Sequence, residues 1–390
     1  MARQRSTATH RDTPNWYCSL VTFRYMRVVV VTESFLPQVN GVTNSVLRVC
    51  EQLAQRNHEA MVVAPGPGPR EYNGFPVVRT PSVPLPGYCA FRLGRPYAGL
   101  RDVIGDYSPD LVHLASPIAL GAQAAFTARK LGIPTVAVYQ TDVAGFARRY
   151  HLGATENAVW SWLRSIHDAA ARTLAPSRAS VRQLEAAGVP RVKRWARGVD
   201  LRRFHPGHRD EQWRRRHTGG NELLVGYVGR LAHEKDIGLL AGLRDVPNLR
   251  VVVAGDGPAR KQLEKQLPGV EFLGFRGGAE LSKVYASLDM FVHTGPHETF
   301  CQSAQEALAS GVPVIAPAAG GLLDLVDHGR TGYLFTPGDA SDLAERVGTA
   351  ASDADLRLEM GRRARRSVEG RSWNVIGSQL VRHYKEVLAA

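Results

Sequence analysis

The sequence predicts an α/β protein made of two doubly wound parallel-sheet domains that face each other across a cleft. Three observations carry this. The chain has 390 residues, enough for two cores and too many for one small domain. Short β-branched runs alternate with stretches of helical period, the pattern of parallel strands covered by helices on both faces. The alternation occurs twice, around a basic stretch broken by prolines and glycines. In the first half, Val28 to Val31 reads as a buried strand, followed by a loop through Pro37 and Gly41. A helix then places Val42, Val46, Val49, Cys50 and Leu53 on one face. Further strands are expected at Ala60–Ala64, Val77–Arg79, Leu111–Leu114, Thr135–Tyr139 and Thr173–Ala175. The second series runs through Leu223–Val228, Val251–Ala254, Glu271–Leu273, Met290–His293, Val312–Ala316 and Gly332–Phe335.

Residues 191 to 217 hold ten Lys or Arg against three acids, with Pro206, Gly207, Gly219 and Gly220 breaking regular structure nearby, so the domain boundary is placed there. The reading is a first Rossmann-like domain at 27–205 and a second at 206–372. Helices are expected from Asp342 to about Gly370 and from Trp373 to Leu388, with the segment 373–390 returning to the first domain. Residues 1–26 are basic and polar, too interrupted for a signal peptide, and are expected to be a disordered leader.

Composition excludes several classes. Hydrophobic residues at 44% and charged residues at 22% are globular values, and no window is apolar enough to span a membrane. Four cysteines, at 18, 50, 89 and 301, form no CxxC pair, which speaks against a zinc ribbon or a disulfide scaffold and fits a reducing cytoplasm. The net charge is +13 and 42 of the 49 basic residues are arginine. That excess reflects an anionic partner or the coding bias of a GC-rich genome.

Candidate chemistry gathers after strands. Gly41, before the first helix, is either a point of close ligand approach or a plain turn. Arg230 and Lys235 lie five apart after the first strand of the second domain, beside an expected helix start. Fixed cations there suit a diphosphate and stabilise the charge it gains on leaving a sugar; the alternative is two solvated charges. Glu298 and Glu306 lie eight apart, with Glu298 expected at a helix start. One suits sugar hydroxyls and the other a ribose, or else they are a helix-end charge and a surface partner of arginine. His293, His297 and Glu298 invite a metal reading. Gly295 and Pro296 break the helix that a histidine pair would need, no third ligand is evident, and no metal is expected. Asp353 and Asp355 read as helix capping. Asp142, in Tyr139-Gln140-Thr141-Asp142, orients an acceptor hydroxyl or caps a turn. With Asn40 and Gln140 it is a candidate for the acceptor side.

With Arg230 and Lys235, the paired glutamates, the glycine after strand one and Gly311-Val312-Pro313-Val314-Ile315-Ala316, the chain from about Arg27 onward resembles glycosyltransferase family 4. The resemblance implies the GT-B fold and metal-independent, retaining transfer from a nucleotide sugar, with no cofactor. It implies Gly41 at the donor phosphate and sugar, Arg230 and Lys235 at the diphosphate, Glu298 at the sugar hydroxyls and Glu306 at the ribose. Main-chain amides of Phe300, Cys301 and Gln302 would meet the sugar and diphosphate, with Phe275 and Arg276 by the base. Two departures stand out: Gln140 where many members carry histidine, and Cys301 where many carry glycine. Both, with Glu33-Ser34-Phe35-Leu36-Pro37, resemble the actinobacterial GDP-mannose-dependent alpha-mannosyltransferases that act on envelope glycolipids. That likeness implies a GDP-mannose donor, a lipid-linked acceptor and a peripheral place on the inner face of the plasma membrane.

The segment Pro84 to Arg101 interleaves Tyr88, Phe91 and Tyr97 with Arg92, Arg95 and Arg101, and Arg148-Arg149-Tyr150 adds charge. It is either a patch for an anionic membrane surface or a loop whose aromatics pack on the domain. Competing functions are a UDP-sugar transferase of the same family, a sugar-nucleotide epimerase, and a nucleic-acid binder. For the last no module is present and none is expected.

Overall fold

The computed structural model describes residues 25–390 apart from 39, 86–87, 143–155 and 221, with only the backbone course given for 84–93. In the first domain β1 (Arg27–Thr32) leads to α1 (Gly41–Ala54), β2 (Glu59–Pro65), β3 (Glu71–Tyr72) and β4 (Phe75–Thr80). A hairpin of β5 (Ser82–Leu85) and β6 (Tyr88–Gly94) precedes α2 (Leu100–Tyr107) and β7 (Leu111–Ala115). Then come α3 (Leu120–Lys130), β8 (Thr135–Val138), α4 (Glu156–Ala169), β9 (Arg172–Ala175), α5 (Arg178–Ala186) and β10 (Val192–Arg194). Eight strands form one sheet in the order β10-β9-β8-β7-β1-β2-β4-β3, parallel except for the β3–β4 pair.

The second domain follows α6 (Glu211–His217). It comprises β11 (Leu223–Val228), β12 (Leu249–Ala254), α7 (Arg260–Gln266), β13 (Glu271–Gly274), α8 (Gly278–Ser287) and β14 (Met290–Val292). Next are α9 (Gln302–Ala309), β15 (Val314–Pro317) and β16 (Gly332–Phe335), then α10 (Ala340–Ser352), α11 (Ala354–Val368) and α12 (Trp373–Leu388). Its six strands are ordered β13-β12-β11-β14-β15-β16, all parallel.

The central strands are continuous apolar runs because both faces are covered. Val28 and Val30 enter the core shared with α1 and α12, while Val29 and Val31 enter the core shared with α2 and α3. Leu224 and Val225 divide in the same way between the two cores of the second sheet. In each sheet the strand order reverses, beside β1 in the first and between β11 and β14 in the second. Crevices open at the carboxyl ends of strands at such reversals, so both domains place their loops toward the cleft.

The chain crosses between domains twice, and the crossings touch: Val199 bridges to Ser372 and its N–H donates to the Arg371 carbonyl. Beyond the second crossing α12 lies on the first domain. Trp195 Nε1 donates to the Ile376 carbonyl at 3.0 Å, and Tyr384 meets buried His113 at 2.7 Å.

Several expectations need correction. Met26, expected to be disordered, is ordered with the first domain: it is 1% exposed, and its N–H donates to His58. Residues 1–24 lie outside the described residues, as do the side chains of Tyr88, Phe91 and Arg92 and the segment Arg148-Arg149-Tyr150. Pro84 to Arg101 is not a plain loop, since β5 and β6 pair antiparallel within it. The helical stretch after Asp342 is two helices, divided at Asp353, whose carboxylate caps α11 by accepting from Leu356 N–H.

Candidate active site

After β11 the backbone does not enter an α-helix, as the sequence suggested. It makes two successive 3-10 turns, His233–Lys235 and Ile237–Leu243. Lys235 is held from beneath by the β14 loop: Thr294 Oγ1 donates to its carbonyl at 2.6 Å, and a Cβ on Gly295 would come within 3.1 Å of the Lys235 Cα. Its ammonium donates to Glu298 Oε1 at 2.5 Å, and His293 Nε2 lies 3.1 Å from the same oxygen. Tyr227 of β11 stacks parallel on the His293 ring with centroids 5.8 Å apart, fixing the imidazole. Arg230, half exposed, pairs with Glu234 at 2.6 Å.

Burial opposes the charge on each member of this set, and the partners overcome it. Lys235 and His293 hold the Glu298 carboxyl far below the usual carboxylate range, and Glu298 raises Lys235. Cys301 and Glu298 raise His293 to about 9. His293, Glu298 and Cys301 also offer three atoms within 4.8 Å of one another. Positive charge at the shared Glu298 oxygen comes from Lys235 and from the protonated His293.

Glu298 does not start the helix. α9 begins at Gln302, four residues on, because the intervening main chain is pinned to the Gly320-Gly321 turn. The Gly321 N–H donates to the Glu298 carbonyl at 2.7 Å, and a Cβ on Gly321 would fall 2.5 Å from the Phe300 Cα. Cys301 takes a left-handed conformation, φ 77°, and provides no side-chain cap. Among the described residues, the main-chain N–H groups of Phe300, Cys301 and Gln302 donate to no protein acceptor. Three such donors at a helix start form an anion cradle. Glu306 sits further along α9, where burial lifts its carboxyl to about 7 against the pull of Tyr285, Arg203 and Gln302.

The first-domain wall is built from the ends of β1, β7 and β8. Asn40 is committed to capping α1: its Oδ1 accepts from Val42 and Thr43 N–H, each at 3.0 Å, and its Nδ2 donates to Ser34. Among the described residues a Cβ on Gly41 would meet nothing within 4 Å, which leaves room there for a ligand. Asp142 accepts from Tyr139 Oη at 3.0 Å and Gln183 Nε2 at 3.2 Å, which is local positioning. Gln140 accepts Arg197 on its side chain and Thr299 Oγ1 on its carbonyl, joining the two domains beside Glu298. Phe275 is 70% exposed, and Arg276 folds back onto the Phe275 carbonyl.

Two residues escaped the sequence reading. Glu33, directly after β1, is buried, and its Oε1 accepts from the N–H groups of Ile118, Ala119 and Gly121, fixing the start of α3. Arg197 reaches from the interdomain crossing to Gly41 and Gln140. The only available signal was an acid directly after a buried strand and an arginine in the boundary segment.

Two facing parallel-sheet domains with a cationic, amide-lined crevice define a GT-B glycosyltransferase. Residues 39–203 match the family described as Glycosyltransferase Family 4, and residues 209–367 match Glycosyl transferases group 1. A GDP-mannose-dependent alpha-mannosyltransferase of Corynebacterium glutamicum is 47% identical over 375 residues, 94% of this chain and 90% of that protein. One of Mycobacterium tuberculosis is 48% identical over 369 residues, 93% of this chain and 97% of that protein. The chain belongs to glycosyltransferase family 4. The Anabaena protein HepE in complex with UDP shares the fold, with TM-score 0.77 at 23% identity, covering 93% of this chain and all of that one.

Proposed function

We propose that the protein transfers mannose from GDP-mannose to a membrane glycolipid, with retention at the anomeric carbon and without a metal ion or other cofactor. The observation that carries this is the Lys235–Glu298–His293 set beside three main-chain N–H groups that donate to no acceptor among the described residues, a place for a diphosphate next to a place for sugar hydroxyls. The names of the 47% and 48% identical relatives support the donor. A 28% identical M. tuberculosis relative named for phosphatidylinositol dimannoside supports a glycolipid acceptor. A peripheral place on the inner membrane face fits the net charge of +13, and no described helix is long and apolar enough to cross a membrane.

In this reading the diphosphate takes over the Lys235 ammonium from Glu298, whose freed carboxylate then accepts from the sugar hydroxyls while His293 keeps it aimed. Arg230 and the amides of Phe300 to Gln302 meet the remaining phosphate oxygens, and Glu306 the ribose. The bond from the anomeric carbon to the phosphate oxygen breaks with its electron pair going to that oxygen. The acceptor hydroxyl attacks from the same face and passes its proton to the departing phosphate. The fixed cations stabilise the developing charge.

The test supplies GDP-mannose or UDP-sugars with glycolipid extracts, with and without EDTA. Alpha-linked mannosyl lipid formed from GDP-mannose, indifferent to EDTA, is the expected result. Transfer from UDP-sugars alone, abolition by EDTA, or conversion of the donor without acceptor would each overturn it.

A further inference from the structure

The partly buried arginines of this protein divide into those paired with acids and those, Arg56, Arg79, Arg357 and Arg197, that meet only neutral acceptors among the described residues, and of the latter Arg197 is the one held by Gln140 and Gly41 at the candidate site. Arg214, in the first group, is matched twice, to Asp289 at 2.8 Å and Glu211 at 3.3 Å. The Arg197 guanidinium meets only neutral acceptors among the described residues, Gln140 Oε1 at 2.5 Å and the Gly41 carbonyl at 3.2 Å. Its backbone is clamped by α9: Gln305 Nε2 donates to the Arg197 carbonyl at 3.0 Å, and Gln302 Nε2 to the Gly198 carbonyl at 3.1 Å. A cation is thereby mounted rigidly between the open surface of Gly41 and the loop bearing Glu298. Burial lowers its pKa to about 10, which leaves it protonated at neutral pH with no acid paired to it among the described residues.

A partly desolvated charge with no counter-ion is costly in the empty protein, and the cost is relieved when an anion arrives. The geometry points to Arg197 as a further donor-binding residue, the first-domain cation that grips the donor's diphosphate from the wall opposite Lys235 and Arg230. Gln140 and the Gly41 carbonyl hold its fork in place until the diphosphate enters. This rests on the reading that the donor is a nucleoside diphosphate sugar.

A structural tie and a ligand cation differ in the sign of their effects. Thermal unfolding and calorimetric GDP titration are compared for the full chain, Arg197→Met and Arg197→Lys. For Arg197→Met the expected result is a melting temperature in the absence of nucleotide equal to or above that of the wild type, with GDP bound about 10- to 100-fold more weakly, the scale of a lost charge-assisted contact. Arg197→Lys, keeping charge but losing the fork, binds GDP at least about fivefold more weakly. A clear fall in melting temperature with GDP affinity unchanged makes Arg197 a tie between loops and overturns the inference. Should the methionine variant fail to fold, unchanged GDP affinity in Arg197→Lys has the same force. Wild type that binds neither GDP nor UDP defeats the donor reading itself, whatever the variants do.

Discussion

Replacing Lys235 by alanine tests the site at its centre, because it removes one partner of an ion pair and one proposed contact to the leaving group. The Lys235 and Glu298 side chains are 21% and 17% exposed and 2.5 Å apart. Breaking a buried pair on one side costs about 3–5 kcal/mol. His293 still donates to the stranded carboxylate, and the site is not fully dry, which brings the expected loss to about 2 kcal/mol. Turnover at saturating donor should fall about 10²- to 10⁴-fold, the scale of a lost transition-state charge contact. Adding Glu298→Gln separates the two effects: the double variant should regain most of the stability, since no carboxylate is left unpaired, and none of the activity. Urea unfolding and initial-rate measurements on the two single variants and the double variant provide the readout. Turnover within tenfold of wild type in Lys235→Ala would refute the leaving-group role. A double variant no more stable than Lys235→Ala would refute the pairing.

Three other outcomes are expected. His113 is fully buried and burial lowers its pKa to about 3, so only the unfolded chain takes up a proton as pH falls below 6.5, and the stability owed to neutral His113 is lost in that direction. The stability advantage of wild type over His113→Gln should shrink by about 2 kcal/mol between pH 7.5 and 5, measured by urea unfolding; a constant difference would contradict the assignment. Gly321→Ala pushes a methyl group into the main chain of Phe300 and should cost about 1–3 kcal/mol and weaken GDP binding at least about tenfold. Gly348→Ala, which meets nothing within 4 Å, serves as the control and should leave both unchanged or slightly improved. Trp195→Phe deletes the hydrogen bond to Ile376 and part of a buried ring, costing about 1–3 kcal/mol, and should speed hydrogen exchange in 373–388 while leaving β11 to β16 unaffected.

The strands that carry the site were legible because a run such as Val28 to Val31, buried on both faces, can hardly be anything else in this alternation. Lys235 and Glu298 were legible as residue types after strands, but their union was not: 63 residues separate them, and the contact exists only because β11 and β14 are neighbours. That contact also explains why Glu298 was misplaced at a helix start. Its carboxylate is taken by an ammonium rather than by helix N–H groups, and its carbonyl by Gly321. Arg197 reads as one more charge in a basic segment, and what sets it apart, its neutral partners Gln140 and Gly41 at the candidate site, is a tertiary arrangement that spacing cannot reveal. The β5–β6 hairpin was hidden because aromatic and basic residues interleave there without the alternation that marks a half-buried strand.

The return of α12 has a bearing on how the molecule is made. Ile376, Leu380, Val381 and Tyr384 complete the core on one face of the first sheet, yet the ribosome adds them only after every strand of the second. The portion translated first must therefore wait, with one side covered by α1 but not yet by α12, until the portion translated later is finished. The last step of closing the first domain thus belongs to the end of the polypeptide, and a chaperone holding the nascent chain would find its target in the part of the valine face that α12 eventually shields.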